Sequence, residues 1–439
     1  MVIKIKKITI KPTSIGSLLL LSMIFLYAIS SFLIYTLHLP RTILYLGDVL
    51  NIIALFYAIV VSYSKRLLKF NSVFLWCEIF VIISIISSLV NHGPIVLFLW
   101  GARNNFRYLI FFFSCSVLLK KRDIDILLKM VKVIFWISVP LCTYQGLFVT
   151  YPPGTIIGDM VGGVFYKFPG CNAPLNVILI VQVSVSLIKY FNNKLPIKNL
   201  IIVILASVYM SSLAELKVFL IELVLIVLLI MIWNGLSLKT ILISGLSIVV
   251  LSVFISMLIY FNGAKKNNYD ESLTISGLIN YATQTQGYDG VGDLNRVTAI
   301  PILYDKFMNK DIFRSLFGIG LGNADYSLGF SFLQSDFYKE YNYMNYHYFT
   351  APWMFIEVGG LGVISFLMIF INVYIISNKM IKGKNEDIQL VKIISIFMIF
   401  LSFYNTSLRG EQSSYLLYML LSVPFAIRNT DGLIRRINQ

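Results

Sequence analysis

In a chain this apolar, the side chains that can do chemistry are few enough to name. Arg103, Arg107, Lys167, Glu215, Lys217, Arg296, Arg314, His347, Glu357 and Arg409 all fall at or near the ends of apolar runs, on one side of the bundle those runs imply. An ionisable group at membrane depth costs several kcal/mol unless it is paired or faces a cavity, so each is a site candidate. Arg103 and Arg107 lie four apart in the run Gly101-Ala-Arg-Asn-Asn-Phe-Arg-Tyr, at the expected outer start of a helix. That spacing puts both guanidiniums on one face. Their planar forks suit phosphate oxygens, so the pair could clamp a diphosphate; the competing reading is that they snorkel to lipid headgroups.

Arg296, just inside a long polar segment, reads as an anion ligand at the membrane surface, and Arg314 as a weaker candidate on a solvated face, paired with Asp293 or Asp311. His347 stands in Tyr346-His-Tyr-Phe-Thr-Ala-Pro-Trp with Glu357 about three turns deeper. An imidazole there could act as general base or bind a pyrophosphate, or simply hydrogen-bond among tyrosines. The run Gly318-Ile-Gly-Leu-Gly-Asn lacks the strand and the Lys-Ser/Thr ending of a nucleotide loop and reads as a tight turn with close backbone approach. Ten Phe or Tyr crowd residues 326–349, mostly as an interfacial aromatic belt.

The elements that must hold these groups follow from hydropathy. The 439 residues are 58% hydrophobic and 13% charged, too apolar for a soluble domain, and the apolar runs of about 20 residues are spanning-helix length. Helices are expected near 16–37, 43–63, 72–90, 104–119, 131–149, 173–190, 199–213, 217–233, 238–260, 351–377, 389–404 and 413–427. The seventh and eighth are short and joined by a polar knot at Ala214-Glu-Leu-Lys217; one re-entrant element is the alternative. The fold class is thus an all-α integral membrane protein with about 12 transmembrane helices: nine in 1–260, a large periplasmic loop with short amphipathic helices at 261–350, and three in 351–439. Within the loop, Asn295 to Phe313 reads as an amphipathic helix capped by Asp293 or Asn295.

Basic residues test the topology. With the N-terminus inside, Lys4, Lys6, Lys7, Lys65, Arg66, Lys120, Lys121, Arg122, Lys194, Lys239, Lys379 and Arg435 fall on cytoplasmic segments, so every second connection is basic. The formal charge of +15 is therefore a topology signal that favours a phospholipid bilayer as partner; no nucleic-acid contact is expected. No cleavable signal peptide is evident in the first apolar run. Four scattered cysteines (Cys77, Cys115, Cys142, Cys171) and three histidines without ligand spacing give neither a disulfide framework nor a metal centre.

The late outer loop and the run His347-Tyr-Phe-Thr-Ala-Pro-Trp-Met-Phe-Ile-Glu357-Val-Gly-Gly-Leu-Gly362 resemble the O-antigen polymerase (Wzy-type) and O-antigen ligase superfamily, in which a His or Asn precedes a Glu-x-Gly-x-x-Gly. Asn295-Arg296 followed by Leu316-Phe-Gly-Ile-Gly-Leu-Gly322 looks like the family's arginine and glycine stretch. The resemblance covers the whole topology, with motifs confined to about 70 residues. Ser211-Ser-Leu-Ala-Glu-Leu-Lys217 stands where the family often has a Ser-Arg-Gly-like motif, so a lysine replaces the arginine, and residues 150–172 hold Lys167 but no arginine.

What the resemblance implies is a metal-independent membrane glycosyltransferase without cofactors. It would polymerise undecaprenyl-diphosphate-linked oligosaccharide repeats at the periplasmic face of a bacterial inner membrane, both termini cytoplasmic, with a separate chain-length regulator protein as a further partner. Catalysis would fall to His347, Arg296 and Glu357, and diphosphate binding to Arg103, Arg107, Lys217, Arg314 and Arg409. An O-antigen ligase and a lipid-linked oligosaccharide flippase are the alternatives; a transporter should show two similar halves and midplane charges, and only Asp48, Glu78 and Glu222 are candidates for the latter.

Overall fold

The apolar runs do become helices. A computed structural model describes residues 14–65, 71–235, 245, 292–309, 311–380 and 385–429. Along these the helices are α1 (Ile15–Tyr35), α2 (Tyr45–Lys65), α3 (Ser72–Val90), α4 (Ile95–Leu118), α5 (Lys121–Leu147), α6 (Asn172–Phe191), α7 (Ile197–Leu213), α8 (Val218–Asn234), α9 (Ala299–Leu303), α10 (Ile312–Phe317), α11 (Asp336–Tyr341), α12 (Thr350–Lys379), α13 (Glu386–Tyr404) and α14 (Glu411–Leu421). Among the described residues no strand occurs, and seven helices are long and apolar enough to cross a membrane. The chain is an all-α membrane protein. The expected ninth helix, 238–260, apart from residue 245, and loop residues up to 291 lie outside the described residues.

Two boundaries differ from the hydropathy reading, for one reason. Helix α4 begins at Ile95, so Arg103 and Arg107 sit inside it instead of at its start. Helix α5 begins at Lys121, ten residues early, with Asp123 in its first turn. In both places polar residues that end an apolar window are neutralised by distant partners. The Asp123 carboxylate accepts from the Lys120 backbone N–H (2.9 Å) and from the Ser17 hydroxyl of α1 (2.8 Å). Local hydropathy cannot register such pairings.

Enclosure varies around the bundle. Of the apolar window of α6, 83% is buried, against 22% for α2 and α3, so α6 is central while α2 and α3 turn residues such as Phe56 and Ile82 outward to lipid. Helix association in lipid relies on close packing and on polar contacts between helices. Here α12 packs on α3 and α13, and α4 on α2 and α14. Tyr27 of α1 stacks on Tyr415 of α14 with centroids 4.7 Å apart, and Tyr108 of α4 meets the same ring edge-on at 5.1 Å. The Asn176 amide donates to Glu222 at 2.9 Å, joining α6 to α8 at depth.

The connections at one end of the bundle form a cap. The expected helix over Asn295–Phe313 is instead broken. Neither Asp293 nor Asn295 caps it: Thr298 holds the N-cap position of α9 without a side-chain bond. A π-helical turn, Tyr304–Met308, follows, extended backbone at Asn309 ends it, and Asp311 caps α10 through the Arg314 N–H at 3.0 Å. The glycine run then makes the close approach its sequence suggests. Any Cβ on Gly101 of α4 would lie 2.6 Å from the Gly322 nitrogen, so the turn rests directly on the helix backbone. Inside α12, Gly359 adopts φ +67°, a left-handed conformation that breaks the helix, and its bare Cα packs on the Leu316 carbonyl. The Ser87 hydroxyl of α3 lies within hydrogen-bond reach of both the Phe317 and Glu357 carbonyls, and Asn91 donates to Gly318 O at 3.0 Å, pinning turn and kink together.

Candidate functional site at one end of the helix bundle

Three arginines, Arg107 and Arg409 buried and Arg103 partly so, form an ion network. Arg103 places Nε and Nη2 2.9 and 2.6 Å from one Asp48 oxygen of α2. Arg107 lies 2.9 Å from Glu411 of α14 and 3.7 Å from Asp48, and reaches the Tyr108 hydroxyl at 2.8 Å. That hydroxyl donates to the Arg409 carbonyl at 2.7 Å. The Arg409 guanidinium bridges Asp325 (2.9 Å) and Glu357 (3.5 Å) and lies 3.4 Å over the Trp353 ring. Asn104 donates a further 2.9 Å bond to Asp325, and the Gly322 N–H meets Glu357 at 3.1 Å. Three guanidiniums thus face the four carboxylates Asp48, Glu411, Asp325 and Glu357. Helix spacing set Arg103 and Arg107 on one face as expected; what they face there is carboxylate.

A second cluster gathers Asp159, Glu215, Lys217 and Arg296. Glu215, in left-handed backbone between α7 and α8, packs over Gly158. Arg296 donates through Nε to the Tyr404 carbonyl at 3.3 Å and stacks 4.3 Å over the Tyr404 ring. The Lys217 ammonium is held below its ordinary range by burial, pulled back up by Glu215 and pushed down further by the Arg296 charge. Burial raises the Asp159 carboxyl, against the Asn172 hydrogen bond and the Arg296 charge, which lower it. Two cations separated by 79 positions therefore share one electrostatic neighbourhood, 296 − 217 = 79.

His347 has a third kind of surroundings. The rings of Tyr326, Tyr338, Tyr346, Tyr348 and Trp353 lie 4.6–6.4 Å from its own. These aromatics, expected chiefly as a lipid belt, pack into a small core of their own around the imidazole. Nδ1 is buried without a hydrogen-bond partner, and burial lowers the pKa to about 4. At neutral pH the ring is uncharged and so holds no anion by charge, and the same burial makes it a weaker base than a free imidazole. Glu357 lies seven residues into α12, about two turns beyond its start, while His347 precedes the helix in a separate short turn, Tyr346–Tyr348. Arg314 is exposed and pairs with Asp311 at 3.5 Å, apart from both clusters, and Lys167 belongs to neither.

Asp325, Glu411 and the turn 405–410, apart from Arg409 itself, escaped sequence reasoning. One signal was available: Arg409-Gly-Glu411 places two opposite charges in a short link between apolar helices. That turn joins the clusters, since Tyr404 O holds Arg296, Asn405 O accepts from Thr350 N at 3.1 Å, and Arg409 closes the ion network. Among the described residues no group of His, Cys, Asp and Glu could hold a metal ion. The chain matches no known protein family and no curated protein sequence. Fold and composition define its class as a multi-helix membrane protein with a polar, partly charged site at one end of the bundle.

Proposed function

We propose that this chain is a membrane glycosyltransferase of the O-antigen polymerase type. It spans the inner membrane about twelve times with both termini in the cytoplasm, and the 261–350 segment lies in the periplasm. It joins undecaprenyl-diphosphate-linked repeats, in company with a chain-length regulator. The observation that carries this reading is the convergence of Arg296 and Lys217 at the bundle end, where Arg296 also lies 5.9 Å over the ring of Phe349, two residues from His347. Arg103, Arg107 and Arg409 are held in close ion pairs with carboxylates of the chain; we assign the diphosphate to Arg296 and Lys217, which share their neighbourhood with Asp159 and Glu215, with Arg409 holding the site's geometry.

In the reaction the acceptor hydroxyl oxygen forms a bond to the donor's anomeric carbon. The bond from that carbon to the diphosphate oxygen breaks and its electron pair leaves with the diphosphate. The hydroxyl proton passes to the His347 imidazole. Cations positioned where the leaving charge develops stabilise the transition state. Loss of one such donor costs about 10²–10³-fold in rate.

The test is a deletion strain complemented with wild type, Arg296→Ala, Lys217→Gln or His347→Gln, read on lipopolysaccharide gels. The polymerase reading expects core plus one repeat in the deletion and in Arg296→Ala. Uncapped core would point to a ligase, loss of outer-face lipid-linked repeats to a flippase, and normal ladders would end the transferase reading altogether.

A further inference from the structure

A cavity of about 300 Å³ opens at the same end of the bundle, between α1, the link before α6, and the turn into α14. That size is at the lower end of small-molecule sites, which run from roughly 300 to 1,000 Å³. It is large enough to admit one sugar ring. We propose that it is the subsite for a single neutral sugar ring of the glycan, a proposal that rests on the transferase reading for its role in turnover, though not for binding itself.

The lining has the chemistry of a polyol site. The Gln412 amide nitrogen lies 3.0 Å from each of the Ser30 and Ser31 hydroxyls, which in turn donate to backbone carbonyls at 2.7 and 3.0 Å. In this preordered row each serine oxygen keeps one acceptor lone pair. Ser407, 1% exposed, also lines the cavity, and its Oγ has no hydrogen-bond partner although its own carbonyl accepts from Ser413 and Ser414. A buried hydroxyl is ordinarily paired, so an orphaned one in a cavity wall marks a place for a ligand's polar atom. Tyr35 and Phe168 supply aromatic surface for the apolar face of a ring.

Charge argues for a neutral ring. Glu411 is in the wall, and Arg107 neutralises it at 2.9 Å, while Arg41, the cavity's other charged residue, is exposed, so solvent screens its charge, and it donates to the Tyr35 hydroxyl at 3.2 Å. Position argues for a part of the same substrate. One wall, residues 406–413, carries Arg409 and Glu411 of the ion network. The opposite wall, residues 168–174, flanks Asn172, whose amide holds Asp159 of the Arg296–Lys217 cluster at 3.1 Å.

The experiment uses the full chain in phosphatidylethanolamine/phosphatidylglycerol nanodiscs. Saturation-transfer NMR is run with the methyl glycosides of glucose, galactose and N-acetylglucosamine at millimolar concentration. Transfer to at least one glycoside is expected, falling at least five-fold in Ser31→Trp, which fills the cavity, and in Gln412→Leu, which keeps its volume and removes the amide. Ile232→Trp on the lipid-facing side of α8 is the size-matched control and keeps the signal. The proposal is overturned by absence of transfer to all three glycosides, by undiminished transfer in Gln412→Leu, or by a phospholipid retained in the cavity in native mass spectrometry. Gel ladders separate the two ideas. A full ladder from Ser31→Trp alongside none from Arg296→Ala removes the subsite and leaves the transferase. Glycoside binding together with normal ladders in the deletion strain leaves the saccharide site and removes the transferase.

Discussion

Replacing Arg409 by methionine removes the cation that two buried carboxylates share. Its side chain is 5% exposed, and those of Asp325 and Glu357 are 1% and 0%. Methionine keeps much of the contact with Trp353 while deleting the charge. Breaking a buried pair by removing one partner costs about 3–5 kcal/mol, because the remaining charge loses its compensation and cannot return to water. Asp325 keeps Asn104 and Glu357 keeps the Gly322 N–H, which places the loss toward the lower figure. At about 2 °C per kcal/mol for a large chain, the Tm falls by roughly 6–10 °C. The assay is thermal size-exclusion of the detergent-solubilised protein. The triple variant Arg409→Met, Asp325→Asn, Glu357→Gln needs no cation and should recover at least half of the loss. A fall below 1 °C, or a triple variant no better than the single one, would refute the claim that charge compensation holds this turn on the bundle.

Gly359→Ala should cost about 2–4 kcal/mol, since φ +67° is strained for alanine and the new methyl meets the Leu316 carbonyl; the check is whether α10 amides lose hydrogen-exchange protection while α6 amides keep theirs. His347 titrates near 4 in the fold against 6.5 free, so the unfolded chain takes up the proton first. Stability is full above pH 6.5 and declines as pH falls toward 4, by up to about 3 kcal/mol. His347→Phe should flatten that slope in thermal scans run from pH 7 to pH 4, and an unchanged slope would assign it to other groups. Gly101→Ala should lift the glycine turn from α4, because the Cβ would stand 2.6 Å from backbone at Gly322; a cysteine pair at Gly93 and Asn323, whose contact closes the same seam, should then cross-link at least several-fold less.

What the sequence determined alone is what depends on neighbours along the chain. Apolar runs of spanning length place α1, α2, α3, α6, α12 and α13 nearly where hydropathy sets them, because desolvating a backbone forces it to bond within its own helix. The glycines at 318, 320 and 322 announce a turn because each needs φ above zero. The single-faced spacing of Arg103 and Arg107 follows from helical period. Only tertiary structure decided what those groups meet. Glu411 reaches Arg107 across 304 positions and Asp325 reaches Arg409 across 84. Charge compensation of this kind is what let α4 carry a polar run below the apolar surface, and no window along the chain contains both partners. The same holds for the cavity, whose walls come from α1, the link before α6 and the turn into α14, and for the imidazole of His347, whose neutrality is set by rings that fold around it and not by its place in the sequence.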